Sequence, residues 1–220
     1  MEDDRHDTVR RSYDAVSDEY LAKLGDELDH KPLDRALLQM LLECRPVGRP
    51  MADIGCGPGH VAGWLADRST DVVGIDLSES MVALGRRSFP AVEFRQGDLL
   101  ALPAADGEFG AVVALYCIIH LGSHELGPAM AELWRVLAPG GLLLVSFHLG
   151  TEIRHLSDWF GHEVDVDFQF YELDQVIGPL EAAGFILEMS LERSPYAEEA
   201  ETRRGYLLAR RRLEVSPVSP

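Results

Sequence analysis

Three glycines at alternate positions, Gly55, Gly57 and Gly59, stand between an apolar run and a helical pattern. Glycine lets the backbone turn sharply and approach a ligand, because no Cβ is in the way. A helix that begins directly after such a loop presents free N–H groups to whatever the loop holds. The residue types and spacing therefore favour a small-molecule site at this turn.

The acid at the lip of this loop, Asp53, narrows the choice of ligand. Dinucleotide-binding folds use the spacing G-x-G-x-x-G to hold a pyrophosphate, whereas the spacing here is G-x-G-x-G. A carboxylate beside the loop would repel a diphosphate and attract an ammonium group. A tight turn without any ligand is the alternative interpretation.

Two more acids end the next two apolar runs. Asp76 stands 76 − 53 = 23 residues after Asp53, the position at which a carboxylate meets both hydroxyls of a ribose. Asp98 follows Gly97 and is placed to accept a hydrogen bond from an adenine amino group, or else to act as an ordinary turn residue. Together the two acids favour a ligand that contains a nucleoside.

The candidate general bases are histidines that lie after the later apolar runs of the sequence. His120 comes after an apolar run, at the edge of the predicted sheet where open α/β folds bind ligands. A neutral imidazole there can take the proton of an attacking hydroxyl or ammonium, or it can simply close the loop. His148, His155 and His162 are further candidates for the substrate pocket. The four histidines lack the tight spacing of a metal site, so no metal is expected.

The secondary-structure elements that must position these residues are predicted from two kinds of hydrophobic pattern, one typical of strands and one of helices. Short, mostly apolar runs predict strands, and segments of helical period separate them. The strands are predicted at 51–55, 71–75, 92–95, 111–115, 142–147, 185–191 and 204–210, with helices at 60–67, 78–88, 123–137 and 173–183. Such alternation predicts right-handed β-α-β units and a parallel sheet covered on both faces. No helix joins the last two strands, so the final one is expected to be antiparallel, beside its neighbour.

Two helices are predicted ahead of the sheet. Apolar residues recur every three or four positions over 8–24, where Tyr13 and Tyr20 share one face. The two rings belong either to the core or to a cover over the ligand. A second helix opens at Pro32, whose missing N–H costs nothing in a first turn. Its buried stripe is predicted to comprise Leu33, Ala36, Leu37, Met40 and Leu41.

Residues 148–171 interrupt the α/β rhythm and are predicted to be an insertion over the active edge, containing a half-buried strand over 164–171. Its acids are interpreted as a solvated face, with a clamp for a cationic substrate as the alternative. Residues 1–7 and 213–220 are predicted to be frayed ends, the latter a flexible tail.

On these residues the chain resembles the class I S-adenosylmethionine (SAM)-dependent methyltransferases, especially the small-molecule branch with one domain and an N-terminal helical lid. The resemblance covers roughly 8–212 and also rests on the strand end at 116–120 and the segment 137–141. It implies a Rossmann-like three-layer α/β sandwich with a seven-stranded, mostly parallel sheet whose last strand is antiparallel. It also implies one domain over 1–220, with the lid at 8–45.

The resemblance implies SAM as cofactor and S-adenosylhomocysteine (SAH) as product. The residues then expected to bind the cofactor are Tyr13, Tyr20, Asp53, Gly55, Cys56, Gly57, Gly59, Asp76, Leu77, Met81, Gly97, Asp98, Leu99 and Tyr116. Tyr116 and His120 are expected at the reacting centre, where they would shape the site and act as base. Lys31 is expected to contact the cofactor carboxylate or the substrate, and His120, His148, His155 and His162 to contact the substrate.

Composition limits the partners. With 220 residues, 46% of them hydrophobic, the chain suits one domain. Twenty basic against 37 acidic side chains give a net charge of −17, which repels nucleic acid and anionic membranes. Three separated cysteines predict free thiols in a reducing compartment, and the acidic N-terminus is no signal peptide.

From composition and resemblance together we expect a cytoplasmic monomer or homodimer that methylates an O, N or C nucleophile of a small metabolite or natural product. The alternatives are a non-catalytic SAM-binding protein and an NAD-dependent oxidoreductase, against which the glycine spacing argues.

Overall fold

The computed structural model describes residues 2–68 and 71–213. Two short 3₁₀ turns, Glu27–His30 and Ile118–His120, accompany six α-helices and nine β-strands in these ranges. The helices are α1 (Glu2–Leu24), α2 (Pro32–Cys44), α3 (His60–Ala66), α4 (Glu79–Ser88), α5 (Leu126–Val136) and α6 (Leu173–Ala182). The strands are β1 (Met51–Ile54), β2 (Val72–Asp76), β3 (Glu93–Gln96), β4 (Phe109–Leu115), β5 (Leu137–His148), β6 (Ile153–Trp159), β7 (His162–Gln169), β8 (Phe185–Arg193) and β9 (Arg204–Arg211).

Seven of the strands form one sheet in the order β3-β2-β1-β4-β5-β9-β8. The pairs from β3 to β5 are parallel, and β9 runs antiparallel between β5 and β8. Strands β1 and β2 are buried along their whole length, as expected of parallel strands covered on both faces. The predicted seven-stranded, mostly parallel sheet with an antiparallel last strand is confirmed.

Alternate residues of each central strand enter two different cores, because side chains of a strand point to opposite faces. Val112 packs in the core that contains Leu133 of α5, whereas its neighbour Val113 packs in the core that contains Leu38 of α2. Helices therefore cover both faces, which is the predicted three-layer sandwich. The loops at the carboxyl ends of the strands stay free to build a site.

The insertion between β5 and α6 is a β-hairpin of its own. Strands β6 and β7 pair antiparallel in a separate two-stranded sheet, and β7 packs against α1. The alternating pattern predicted only one strand here. Strand β6 was missed because its residues are mostly polar and exposed, so it lacks the alternation that marks a half-buried strand.

Several predicted boundaries need correction. Helix α1 begins at Glu2, so residues 2–7 are helical rather than frayed. Helix α5 begins at Leu126 rather than at Ser123, because the side chain of Glu125 accepts the backbone N–H of Gly122 and closes the turn before it. Of the predicted tail, 214–220 lie outside the described residues.

The buried stripe of α2 is also shifted. Ala36, which was predicted to be buried, is exposed, whereas Asp34 is 1% exposed. Hydrophobic periodicity cannot place a buried acid, and Asp34 is buried because the Tyr206 hydroxyl donates to its carboxylate at 3.0 Å. Within the described ranges, no helix is both long and apolar enough to span a membrane.

Candidate active site

A cavity of about 570 Å³ lies at the carboxyl ends of β1, β2 and β4. Its size is within the range of small-molecule sites, roughly 300–1,000 Å³. Most of the residues selected from the sequence line it. They are Tyr13, Tyr20, Lys31, Asp53, Gly55, Cys56, Gly57, Asp76, Leu77, Gly97, Asp98, Leu99, Tyr116, His120 and His148.

The glycine loop requires its glycines for two different reasons. Gly55 and Gly57 have φ values of +67° and +54°, a conformation that other residues rarely adopt. A Cβ on Gly55 would also lie 2.3 Å from the Cβ of Cys117, whereas one on Gly57 would have only Tyr20 nearby, at 3.8 Å. The backbone at Gly57 is therefore open for a ligand to approach.

Asp76 ties the end of β2 to this loop. Its Oδ2 accepts the N–H of Gly57 at 2.7 Å and its Oδ1 accepts the N–H of Ser78 at 2.8 Å. Burial nevertheless raises its pKa to about 6. A carboxylate has about four acceptor positions, so each oxygen can still accept one ligand hydroxyl.

Asp53 is the least satisfied acid of the site. It is 2% exposed, and its Oδ2 has no hydrogen-bond partner. Burial raises its pKa to about 8, and the nearby Asp76 and Glu27 carboxylates add to the rise. A cationic ligand group placed here would restore the charged form, because opposite charge favours ionisation.

Both ring nitrogens of His120 have a hydrogen-bond partner. Its Nδ1 lies 3.2 Å from the carbonyl oxygen of Asp167, and its Nε2 lies 2.7 Å from the hydroxyl of Tyr13. A carbonyl can only accept, so Nδ1 carries the proton and Nε2 receives the Tyr13 O–H. Burial lowers the pKa of His120 to about 4, so the ring is neutral at pH 7.

Tyr116 has a strained backbone, with a φ of +56° just after β4. Strain of this kind in a non-glycine residue persists only where surrounding structure imposes it, and it concentrates at functional sites. Its ring lies 5.1 Å from that of His148 and 5.3 Å from Nζ of Lys31. Tyr116 therefore lies between the carboxyl end of β4 and the part of the cavity lined by His148 and Lys31.

Residues 51–141, which carry the glycine loop and the strand ends of this site, match the model of a family described as "Methyltransferase domain". The chain is 39% identical over 102 residues to a probable S-adenosylmethionine-dependent methyltransferase of Mycolicibacterium smegmatis, covering 46% of this chain and 39% of that protein. Over residues 51–141 the chain therefore resembles a methyltransferase domain, and the relative it is similar to is described as SAM-dependent.

Two further comparisons fit this family. The chain is 38% identical over 146 residues to the demethylmenaquinone methyltransferase of Beutenbergia cavernae, covering 64% of this chain and 55% of that protein. Its fold matches the crystal structure of magnesium protoporphyrin IX methyltransferase from Synechocystis PCC 6803 with bound SAH, with a TM-score of 0.72 and 19% identity over 94% and 99% of the two chains. The chain spans about two fifths to just over half of the two curated relatives.

The cavity has an aromatic roof, which we define as Tyr13, Tyr20, Trp159 and Phe168. The Trp159 ring lies edge-on to both tyrosines, at 5.3 and 5.6 Å, and to Phe168 at 5.7 Å. Trp159 and Phe168 come from the hairpin and were not selected from the sequence, although aromatic residues between 159 and 170 were a usable signal. The hairpin and α1 thus close the cavity together.

Asp98 serves as a turn residue and also lines the cavity. Its Oδ1 accepts the N–H of Leu100 at 2.8 Å, and its Oδ2 lies 3.1 Å from Nδ1 of His6. His6 lines the cavity as well and was placed in a frayed end by the sequence. No periodic signal could have identified it, because the contact joins residues that are 92 positions apart.

Four selected residues do not line the cavity. Gly59 begins α3 with a φ of +89°, and a Cβ there would lie 2.4 Å from Phe94, so it serves packing. Met81 is fully buried beneath the roof. His155 and His162 face outward and pair with Asp167 and Glu19 instead.

The outward histidines do not support a substrate contact, and the hairpin acids do not support a clamp, because none of them lines the cavity. Within 2–68 and 71–213, no group of three or more histidine, cysteine or acidic side chains could hold a metal ion.

Proposed function

We propose that the protein transfers the methyl group of SAM to a nucleophile of a small molecule. The observation that carries this proposal is one cavity that combines an open glycine loop and an unsatisfied Asp53 with a neutral, half-buried His120. Relatives named as methyltransferases of demethylmenaquinone and of a malonyl-acyl carrier protein support a small acceptor.

The described residues fit the cofactor. Asp53 Oδ2 is buried without a partner and suits the ammonium group of the methionyl end. Gly55 and Gly57 leave room beside it, and Asp76 keeps acceptor positions for the ribose. Asp98 and Leu99 line the part of the cavity assigned to adenine.

SAM bound here supplies a methyl group activated on a sulfonium, so the protein has only to position and deprotonate the nucleophile. Orientation of this kind is worth roughly 7–11 kcal/mol, and a general base adds about 10²–10⁴-fold. The aromatic roof excludes water, Tyr116 shapes the centre, and Nε2 of His120 accepts the proton of the acceptor.

The lid role of residues 8–45 is supported by the docking of α1 over the cavity through Tyr13 and Tyr20. A cytoplasmic monomer or homodimer acting on a natural product remains our prediction, and so do the cofactor roles of Cys56, Leu77 and Gly97.

Calorimetric titration of the folded protein with SAM, SAH and NADH tests the proposal. Micromolar binding of SAM and SAH, with no heat from NADH, is expected. Binding of NADH alone would favour the oxidoreductase. Binding of SAM without turnover of any acceptor in a broad screen would favour the non-catalytic alternative.

A further inference from the structure

Helix α1 contacts the loop that follows the candidate ribose acid. Asp14 lies on this helix, and its Oδ1 accepts hydrogen bonds from the hydroxyl of Ser78 at 2.5 Å and from the backbone N–H of Ser80 at 3.1 Å. The two pairs are 64 and 66 positions apart in the chain, and α1 packs against α4. Asp14 therefore connects the helix that covers the cavity with the loop between β2 and α4.

Ser78 connects this contact to Asp76. The backbone N–H of Ser78 donates to Oδ1 of Asp76 at 2.8 Å, and its hydroxyl oxygen accepts the N–H of Met81 at 3.1 Å. The hydroxyl proton goes to Asp14. Ser78 is fully buried, so a hydroxyl proton without an acceptor there would be costly. Asp14 therefore completes the hydrogen bonding of the residue that donates to Asp76.

The position of Asp14 also suits the electrostatics of a helix end. Ser80 lies in the first turn of α4, where backbone N–H groups have no partner within the helix. A carboxylate near a helix N-terminus is stabilising, because the partial charge there is positive. The other oxygen of Asp14, Oδ2, lies 3.1 Å from the guanidinium of Arg10, one turn earlier on α1. Asp14 is thus held by its own helix while its Oδ1 contacts α4.

The charge of Asp14 acts on Asp76 as well. Burial raises the pKa of Asp76 to about 6, the hydrogen bonds from Ser78 and Gly57 oppose the rise, and the Asp14 carboxylate adds to it. A neighbouring negative charge has this effect because it disfavours a second one. The pKa of Asp76 therefore reports on Asp14 without any ligand.

From these contacts we propose that Asp14 is a positioning residue for the cofactor, which acts through Ser78 on the acceptor geometry of Asp76. The inference rests on the proposed function, in which Asp76 binds the ribose of SAM. Tight binding of the methyl donor then requires α1 to lie over the cavity, because Asp14 is part of α1. The same helix carries Tyr13, whose hydroxyl lies 2.7 Å from Nε2 of His120. The donor site and the candidate base thus share one covering helix.

A double-mutant cycle of Asp14→Ala and Asp76→Ala, measured by calorimetric titration with SAH, tests the proposal. Asp14→Ala alone is expected to weaken SAH binding about 3- to 10-fold, the effect of about one hydrogen bond. In the Asp76→Ala background the same change is expected to weaken binding less than about twofold, because the residue through which Asp14 acts is gone.

Two further variants distinguish positioning from the docking of α1 in general. Asp14→Asn keeps an oxygen for Ser78 and Ser80 and loses the ion pair with Arg10, so its SAH affinity is expected within about twofold of the wild type. Ser12→Ala removes a different docking contact of α1, in which the Ser12 hydroxyl oxygen accepts the N–H of Asp165 at 3.0 Å. It is expected to leave SAH affinity unchanged.

Thermal denaturation establishes that each variant is folded. If Asp14→Ala does not fold, Ser78→Ala removes the same contact from the other side and takes its place in the cycle. Unchanged affinity in folded Asp14→Ala, losses that add in the double variant, or an equal loss in Ser12→Ala would each overturn the proposal.

A wild-type protein that binds no SAH would count against the proposed function instead. The pKa of Asp76, followed by carboxylate ¹³C NMR in the ligand-free protein, then decides the link separately. Asp14→Asn is expected to lower that pKa, because it removes a neighbouring negative charge. An unchanged pKa would mean that Asp14 does not act on Asp76.

Discussion

The hydroxyl of Tyr13 occupies the only free nitrogen of His120, with 2.7 Å between the oxygen and Nε2. Because Nδ1 is committed to the carbonyl of Asp167, the base has one lone pair, and Tyr13 covers it. An acceptor that gives its proton to His120 must first displace this hydroxyl. In the proposed mechanism this contact covers Nε2 until an acceptor arrives.

His120→Ala is expected to lower kcat by about 10²–10⁴-fold for a hydroxyl acceptor, with SAM affinity unchanged, because only proton transfer is lost. Tyr13→Phe is expected to keep most of kcat, because displacement of the hydroxyl is no longer needed. Steady-state SAH release with an acceptor identified by screening measures both variants. An equal loss in both would mean that Tyr13 carries the proton, contrary to displacement.

Asp76→Ala is expected to weaken SAM binding about 10- to 150-fold, the equivalent of one hydrogen bond to a charged group at about 1.5–3 kcal/mol. Calorimetry measures the effect, and thermal denaturation establishes that the variant is folded. Asp71→Ala is the control, since Asp71 is an exposed acid just before the opposite end of the same strand. Unchanged affinity in folded Asp76→Ala would disprove the ribose assignment.

The sequence predicted the sheet and the residues that line the cavity at the glycine loop, for a physical reason. Gly55, Gly57 and Asp76 act through backbone conformation and strand ends, both of which leave local patterns. The apolar runs of β1 and β2 are just as local. Such features can be predicted without knowledge of distant partners.

The roof and the far side of the cavity could not be predicted in the same way. Glu199 and Trp159 contact residues far away in the chain, Lys31 and Tyr13. A buried arginine in a strand also contradicts hydrophobic alternation. The hairpin could be located as an insertion, but its direction over α1 depends on packing.

Asp53→Asn is expected to stabilise the ligand-free protein, and increasingly so as the pH rises from about 4 to about 8. The folded pKa of Asp53, about 8, exceeds the usual 3.8, so the folded form holds a proton that the unfolded form has lost. Stability from that proton is complete below 3.8 and is lost as the pH passes through 8. Urea denaturation of both proteins at pH 5, 6.5 and 8 measures the difference; a constant difference would contradict the assignment.

SAM binding at pH 7 is expected to release up to one proton, because the ammonium group would ionise Asp53, which is protonated in the free protein below about pH 8. Calorimetry in buffers with different ionisation enthalpies counts the protons. In Asp53→Asn the buffer dependence should vanish and the affinity should fall. Proton uptake in the wild type would place the ammonium elsewhere.

The hairpin leaves the sheet and returns to it at nearly the same place. The backbone carbonyl of His148 accepts a hydrogen bond from the N–H of Tyr171, and Leu149 forms an isolated β-bridge with Tyr171. The 21 residues between Leu149 and Tyr171 therefore begin and end side by side. The hairpin strands pair only with each other, so the strand pairing of the seven-stranded sheet does not include them. Evolution can therefore vary this segment, and with it the roof of the cavity, while the strand order of the sheet is kept.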